Sequence, residues 1–462
     1  MALSSVERWL SYYVRALLPH VLSKESSYRM AYVFSLVSAM CSGFVTLVAL
    51  YSKPWHSQLG YSSWQVNLIV SAANLGMYLT PPVLGVVADD HGPIALSTLA
   101  IGGFIPSYAC VGYLFNHPES SNWLAFRVTL VAFLFIGIST SALYFSALLT
   151  CAKLYPERKL FSISLPTTCY GISSVIGSQL LRMPFFWSST NLDLGRVFNV
   201  FACLYAAVGL LAWIATGTVS LLHHCEPHDE IAEQEPLLPV PPEEHTRQKN
   251  FFKDHIAYLL AFSMLLALGP LEMFVADMGS LASLIAMNST ILSNQLLSIY
   301  AVSSTVARLL TGLATDVFTA KKISPKWILI FHLFLAMVSQ LFVLVITSTT
   351  TGPPEWQLLS MGSIFGIAYG GLYTIYPTVV LIAWGDKLFG TAYGSMMVAP
   401  AIGAAISCLS YAKVYDALCT DSGKGNGACI APVYKMTATQ LACSIAVTMV
   451  AFRAWKRRNL PL

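Results

Sequence analysis

Two ionisable side chains stand among apolar neighbours. Glu272 falls in Ala267-Leu268-Gly269-Pro270-Leu271-Glu272-Met273-Phe274, and Arg308 in Thr305-Val306-Ala307-Arg308-Leu309-Leu310. In hydrocarbon a charged side chain costs about 2.5–3.5 kcal/mol on insertion scales, so such groups line a cavity, meet a polar ligand or find each other. A guanidinium is built to hold an anion. A carboxyl buried alone exchanges a proton, whereas one beside an arginine becomes half of a static ion pair. Gly269-Pro270 predicts a local unwinding of the helix that carries Glu272, with carbonyls freed beside the carboxylate. Tyr369 and Tyr373, one turn apart, can bring two hydroxyls to the same cavity. Arg127 and Asp277 fall nearer the ends of their apolar stretches and read as interfacial.

A second constellation is written twice. Gly85-Val86-Val87-Ala88-Asp89 ends one apolar stretch, and Gly312-Leu313-Ala314-Thr315-Asp316 ends another, 227 residues later in a chain of 462. Residues four apart share one face of a helix, so each copy sets a carboxylate one turn beyond a patch of bare backbone. Gly92 follows the first copy. Repetition at about half the chain length is the mark of a duplicated helical bundle.

The elements that position these residues are apolar throughout. The chain is 56% hydrophobic, 12% aromatic and only 10% charged, with a mean hydropathy of +0.64. A soluble domain carries roughly 25% charged residues, so a water-facing globular protein is excluded. Segments of about 20 apolar residues, enough to cross roughly 30 Å of hydrocarbon, fall near 31–51, 64–87, 94–115, 124–149, 160–181 and 197–222. A second set falls near 256–276, 295–315, 327–347, 357–382, 390–412 and 433–452. None alternates with period two, which predicts an all-α membrane protein: a bundle of about 12 transmembrane helices in two six-helix halves. No phosphate-binding loop, nucleophile elbow or His/Cys metal array is present. Neither catalysis, a cofactor, a metal nor nucleic acid is therefore expected. The partners expected are the lipid bilayer and a small-molecule solute, with H+ as a coupled ion.

Of the 26 Lys and Arg, 18 fall on the side shared by both termini, the even-numbered turns and the central segment; six fall on the other side, and Arg127 and Arg308 inside spans. By the positive-inside rule both termini are cytosolic. Residues 1–30 form a cytosolic segment in which Val6, Leu10, Tyr13, Val14, Leu17 and Val21 recur at helical spacing opposite Arg8 and Arg15, the pattern of an interfacial helix. Residues 31–222 and 256–453 are the two bundles, 223–255 is a cytosolic acidic, Pro-rich linker, and 454–462 is a basic tail. Within the linker, Glu233-Gln234-Glu235-Pro236-Leu237-Leu238 is similar to the acidic dileucine signals that clathrin-adaptor complexes read; Glu233, Leu237 and Leu238 would engage such a complex. Eight of the ten cysteines lie in or beside spans as small hydrophobes. Cys419 and Cys429 share a non-cytosolic loop in which a disulfide could persist. Asn288-Ser289-Thr290 is a glycosylation sequon on the same side.

The repeated Gly-x-x-x-Asp, the twelve spans and the long central segment resemble the major facilitator superfamily, whose signature between spans two and three reads Gly-x-x-x-Asp-Arg-x-Gly-Arg. Gly85, Asp89 and Gly92 match, while Asp90 and Pro93 occupy the two Arg positions. The resemblance implies a cytoplasmic gate at Gly85, Asp89, Gly92, Gly312 and Asp316, in which the Asp acts at a helix N-terminus. Tyr61-Ser62-Ser63-Trp64-Gln65, Leu79-Thr80-Pro81-Pro82 and Pro166-Thr167-Thr168-Cys169-Tyr170-Gly171 are similar to stretches of the fungal monocarboxylate-transporter homologues, including a vacuolar-membrane member. Transporting members of that family carry, in the eighth span, an acid four residues before an arginine, and a lysine in the first span. Arg308 matches the arginine, position 304 is Ser, and the first span holds no charge. Proton-coupled monocarboxylate transport of the usual kind is thereby in question.

The expectation is a secondary transporter of a small organic solute, organic anions included, working by alternating access in the vacuolar membrane. The plasma membrane is the alternative location. The expected solute and ion residues are Glu272, Arg308, Tyr369 and Tyr373. The rival expectation is a non-transporting nutrient sensor or scaffold on the same fold.

Overall fold

The computed structural model of the chain describes residues 4–51, 55, 59–116, 122–188, 191–221, 251–285, 289–348, 354–419 and 427–457. Two short helices, α1 (Ser5–Leu10) and α2 (Tyr12–Val21), precede α3 (Lys24–Ser42), which tightens into a 3-10 turn over Gly43–Tyr51. There follow α4 (Ser63–Leu79), α5 (Pro81–His91), α6 (Pro93–Asn116), α7 (Asn122–Leu154), α8 (Leu165–Leu181) and α9 (Leu194–Val219). A wide turn, Leu160–Ser164, leads into α8. The second series is α10 (His255–Ile285), α11 (Ser289–Ala320), α12 (Lys326–Ser348), α13 (Glu355–Trp384), α14 (Phe389–Met396), α15 (Val398–Leu418) and α16 (Ala431–Arg457).

Among the described residues eleven helices are long and apolar enough to cross a bilayer, and the count reaches twelve when the pair α4 and α5, bent by 42° at its break, is taken as one span. The all-helical architecture expected from the sequence is present; the one extended feature described is a two-residue antiparallel ladder, Trp187–Ser188 with Asn191–Leu192. Helix limits follow local chemistry. Ser62 and Gln65 form a reciprocal capping box at the start of α4, and Asp193 accepts the Arg196 N–H at the start of α9. Gly92 and Gly385, at φ +75° and +78°, stop α5 and α13 in a backbone region that a side chain would strain. Many Ser and Thr within the spans return their hydroxyls to carbonyls one turn back, as Ser35 does to Ala31 and Thr374 to Gly370, so these enter hydrocarbon already paired.

The chain divides into two compact units that do not follow the sequence halves. Unit 1 takes in 1–157, 169–247 and 386–395; unit 2 takes in 158–168, 248–385 and 396–462. Each unit therefore holds one short helix start drawn from the other half of the sequence. Unit 1 is filled by aromatic rings: Phe104 stacks on Tyr205 at 3.9 Å, Tyr108 on Tyr205 at 5.3 Å, and Trp55 meets Phe133 edge-on. Unit 2 carries a hydroxyl knot in which Ser263 is bonded to Tyr376, Ser444 and Thr448.

One expectation is overturned here. Gly269-Pro270 does not unwind its helix, since α10 runs from His255 to Ile285 through both residues. The glycine serves packing instead. A Cβ at Gly269 would collide with the Gly403 carbonyl of α15, and one at Gly403 with the Leu265 carbonyl. This close pairing supports α10 on both sides of a proline that forfeits only its own ladder bond.

Candidate functional site

In unit 2, Gly366 and Gly370 lie on the face of α13 that meets α11. A Cβ at either position would run into the Tyr300 or Ser304 carbonyl. The two helices consequently touch backbone to backbone, and Tyr369 and Tyr373 are held next to Arg308 of α11. The Arg308 carbon Cζ stands 5.9 Å from the Tyr369 ring centre and 6.0 Å from that of Tyr373, within cation–π range. The two phenols donate to a single acceptor on α10, Oε1 of Glu272, Tyr369 at 3.0 Å and Tyr373 more closely. Glu272 and Arg308 make no direct ion pair among the described residues. They communicate through tyrosines whose rings face the cation and whose hydroxyls serve the anion.

Arg308 is only 6% exposed. Its Nη1 donates to the Thr167 carbonyl, and its own carbonyl accepts the Ser164 hydroxyl at 2.5 Å. Its Nε remains a buried donor with no partner, as does the hydroxyl of Tyr300, whose ring meets that of Tyr369 at 5.5 Å. Buried donors in folded proteins are nearly always paired, so two orphans around one guanidinium mark a polar demand that the protein itself leaves open. Glu272 and both tyrosines are partly exposed. All four residues expected from the sequence to handle solute and ion are thus brought together in one unit.

The repeated motif has the same geometry in each unit. In unit 1, a Cβ at Gly85 would strike the Gly390 carbonyl, so α5 lies directly on the start of α14. One turn on, Asp89 accepts the N–H of Gly390 at 3.1 Å and of Thr391 at 2.6 Å. In unit 2, a Cβ at Gly312 would strike Ser164, and Asp316 accepts the N–H of Lys159 at 2.6 Å and of Leu160 at 3.1 Å. Glycine permits the approach; the carboxylate then caps the exposed amides of a helix start, where the dipole also favours a negative charge. Lys153 of α7 supplies an opposing charge to Asp89 although positions 90 and 93 carry no arginine. Gly92 is covered by the Glu7 side chain of α1.

Other sites fall outside this core. Cys419 and Cys429 are joined by a disulfide with Cα atoms 5.4 Å apart. Asn288 and the sorting-signal residues Glu233, Leu237 and Leu238 lie outside the described residues. No cluster of three or more metal-ligating side chains occurs among the described residues. Thr167, Ser164 and Tyr300 are not marked as site residues by the sequence. The first contributes a backbone carbonyl, which no residue type signals, but Tyr300 lies two turns before Arg308 on α11, a spacing a helical projection would have flagged.

Eleven to twelve candidate spans, a buried guanidinium and twin capped helix starts are the features of a membrane transporter. The chain belongs to the Major Facilitator Superfamily, whose model matches residues 32–407. It is similar to the probable transporter MCH1 of Saccharomyces cerevisiae, 54% identical over the full length of both chains, and to that of Candida glabrata, 47% identical over 99% of each. Among solved structures it resembles the proton:xylose symporter XylE, with a TM-score of 0.64 at 12% identity over 91% of this chain and 95% of that one. The fucose:proton symporter FucP gives 0.56 at 14% identity over 90% and 99%. At such identities the likeness is one of fold. The named relatives are transporters, and this chain is a multi-pass transporter, not an enzyme.

Proposed function

We propose that the chain moves a small organic anion across the vacuolar membrane by alternating access, with Glu272 as the proton-carrying group. The observation that carries this reading is the buried Arg308 guanidinium with an unpaired Nε, flanked by two tyrosines that both donate to Glu272. The family pattern has its acid one turn before the arginine, at position 304. Here the Ser304 backbone is packed against Gly370, and the acid that serves Arg308 comes from α10. Protonation of Glu272 removes the negative acceptor of the tyrosine hydroxyls. The hydroxyls of Tyr369 and Tyr373 then donate to an anion seated on Arg308 in place of the carboxylate, so that proton and solute bind together. Release of the helix starts held by Asp89 and Asp316 is the proposed gating step.

The test is uptake of a panel of organic acids into proteoliposomes containing the full chain, comparing wild type with Glu272→Gln at two external pH values. Uptake by wild type should change with pH and that by the variant should not. An equal pH response in both removes the proton role from Glu272. A wild-type protein that binds a solute and moves none is instead a sensor, the reading favoured by Ser304 and by an uncharged first span. Vacuolar delivery through an adaptor complex is tested by replacing Leu237 and Leu238 with Ala: the tagged protein should leave the vacuolar membrane, and unchanged targeting rules the signal out.

A further inference from the structure

A groove of about 790 Å³ runs between α11 and α12 in unit 2, floored by α13. It is separate from the Arg308 site. Val306 and Leu310 lie two residues to either side of Arg308, which at about 100° per residue puts them on the opposite face of α11. Those walls are open and apolar, with Val302 64%, Leu310 59% and Phe331 57% exposed. At the bottom, His332 is bonded to the Thr311 hydroxyl and to the Ile328 carbonyl, so its ring is already satisfied and offers little to a polar ligand. Trp327 and Phe318 close the end of the groove nearest the turn between the two helices.

That turn is cationic. Lys321, Lys322 and Lys326 fall within six residues, and no acid occurs from Val317 to Phe331. The one nearby carboxylate on α11, Asp316, is committed to the amides of Lys159 and Leu160. Lys326 sits over the ring of Trp327, 5.9 Å from its centre, so the charge adjoins the apolar slot. We infer that the groove is a binding site for an anionic glycerophospholipid of the cytosolic leaflet, one acyl chain lying along Leu310 and Phe331 and the headgroup phosphate meeting the three lysines. Basic pockets between transmembrane helices on the cytosolic side are suited to such headgroups. A sterol would leave the lysines without a counter-charge, and a peptide would bring unpaired backbone amides into hydrocarbon.

Native mass spectrometry of the delipidated full-length protein, offered equal amounts of dioleoyl phosphatidylserine and dioleoyl phosphatidylcholine, tests the assignment. Phosphatidylserine should be retained with at least about a tenfold preference. The surface substitutions K321Q, K322Q and K326Q together should abolish that preference. Leu310→Trp, which fills the slot, should remove the tightly held adduct, whereas Leu210→Trp on the exposed face of α9 in unit 1 should leave it. Equal retention of the two lipids, a preference that survives either the lysine or the Leu310 substitution, or displacement of phosphatidylserine by added ergosterol alone would overturn it.

Discussion

Unit 1 buries Phe104, Tyr108, Phe201 and Tyr205 in mutual ring contact; some of its interior hydroxyls pair across helices, Tyr205 with the Cys41 carbonyl and Ser97 with Thr216, while those of Tyr51 and Thr140 have no partner among the described residues. Unit 2 instead buries a guanidinium, sets a carboxylate two hydroxyls away from it, and leaves donors unpaired around it. At their Gly-x-x-x-Asp sites the same two units are alike in that each carboxylate accepts two successive amides at a helix start, Gly390 and Thr391 in one and Lys159 and Leu160 in the other. Duplication has kept the clasp and let the interiors diverge. The proposed binding chemistry lies in unit 2, while unit 1 is filled by aromatic rings.

The sharpest way to break this contrast is to substitute the two interiors in parallel. Arg308→Ala should reduce solute uptake by about a hundredfold or more, since a fully desolvated ion contact is removed. Arg308→Lys should not restore it, because an ammonium cannot both satisfy Thr167 and keep a planar face toward two rings. Phe104→Ala in unit 1 should behave in the opposite way, destabilising the protein by roughly 2 kcal/mol or more through the cavity it opens while uptake per folded molecule persists. Uptake and thermal unfolding measured on the same preparations decide between them. Loss of specific uptake in Phe104→Ala would place the solute in unit 1 as well.

Glu272→Gln is the next largest effect. The amide keeps the shape and can still accept from Tyr369 and Tyr373, but it cannot cycle a proton. Exchange of solute across a membrane without a proton gradient should continue within a few-fold of wild type, whereas gradient-driven accumulation is lost. Accumulation that persists would assign coupling to another group, and with it end the claim that unit 2 holds all of the chemistry.

How much of this was legible beforehand depended on whether the signal lies in a side chain or in the backbone. Glu272, Arg308 and the paired Gly-x-x-x-Asp motifs stood out because each is a residue type unexpected in apolar sequence. Their partners did not. Asp89 is bonded to amides 301 and 302 positions away and Asp316 to amides 157 and 156 away, and a backbone N–H carries no signature of residue type. Gly269-Pro270 was misread for a related reason. Local propensity speaks for a break, but the contact with Gly403 on α15 that overrides it lies 134 positions along the chain and could not be inferred from the neighbouring residues. The grouping of 158–168 with the second bundle and of 386–395 with the first was equally hidden, because it depends on those same long-range caps.

The likeness of the two clasps can be tested with Gly85→Ala and Gly312→Ala. In each, the new methyl meets an atom of the opposing helix start, the Gly390 carbonyl in one case and the Ser164 side chain in the other. The nearest atom at Gly312 is the Ser164 Cβ, which no rotamer change moves, so in both variants the opposing backbone must shift. Gly85→Ala and Gly312→Ala should therefore slow transport alike, by about tenfold each, a step corresponding to roughly 1.4 kcal/mol. Cysteine accessibility from the cytosolic side should rise in both. An effect confined to one variant would mean that the repeated sequence no longer performs a repeated task.

The smallest effect concerns a feature that extends unit 1. Trp213 of α9 donates from Nε1 to the Leu10 carbonyl at 3.1 Å, and Val14 of α2 fills the space beside Gly217. These contacts, together with the Ser4 hydroxyl beside His91 and Glu7 over Gly92, hold the N-terminal helices to the bundle, while Trp9, Tyr13 and Leu17 remain exposed, as residues resting at a lipid interface would be. Trp213→Phe keeps the ring and deletes the donor, leaving the Leu10 carbonyl to find water, at a cost of about 1 kcal/mol. Limited proteolysis should then release the N-terminal segment faster, with uptake unchanged. If uptake falls in step with cleavage, α1 acts on the clasp through Glu7 and Gly92, and the aromatic unit has a regulatory part as well as a supporting one.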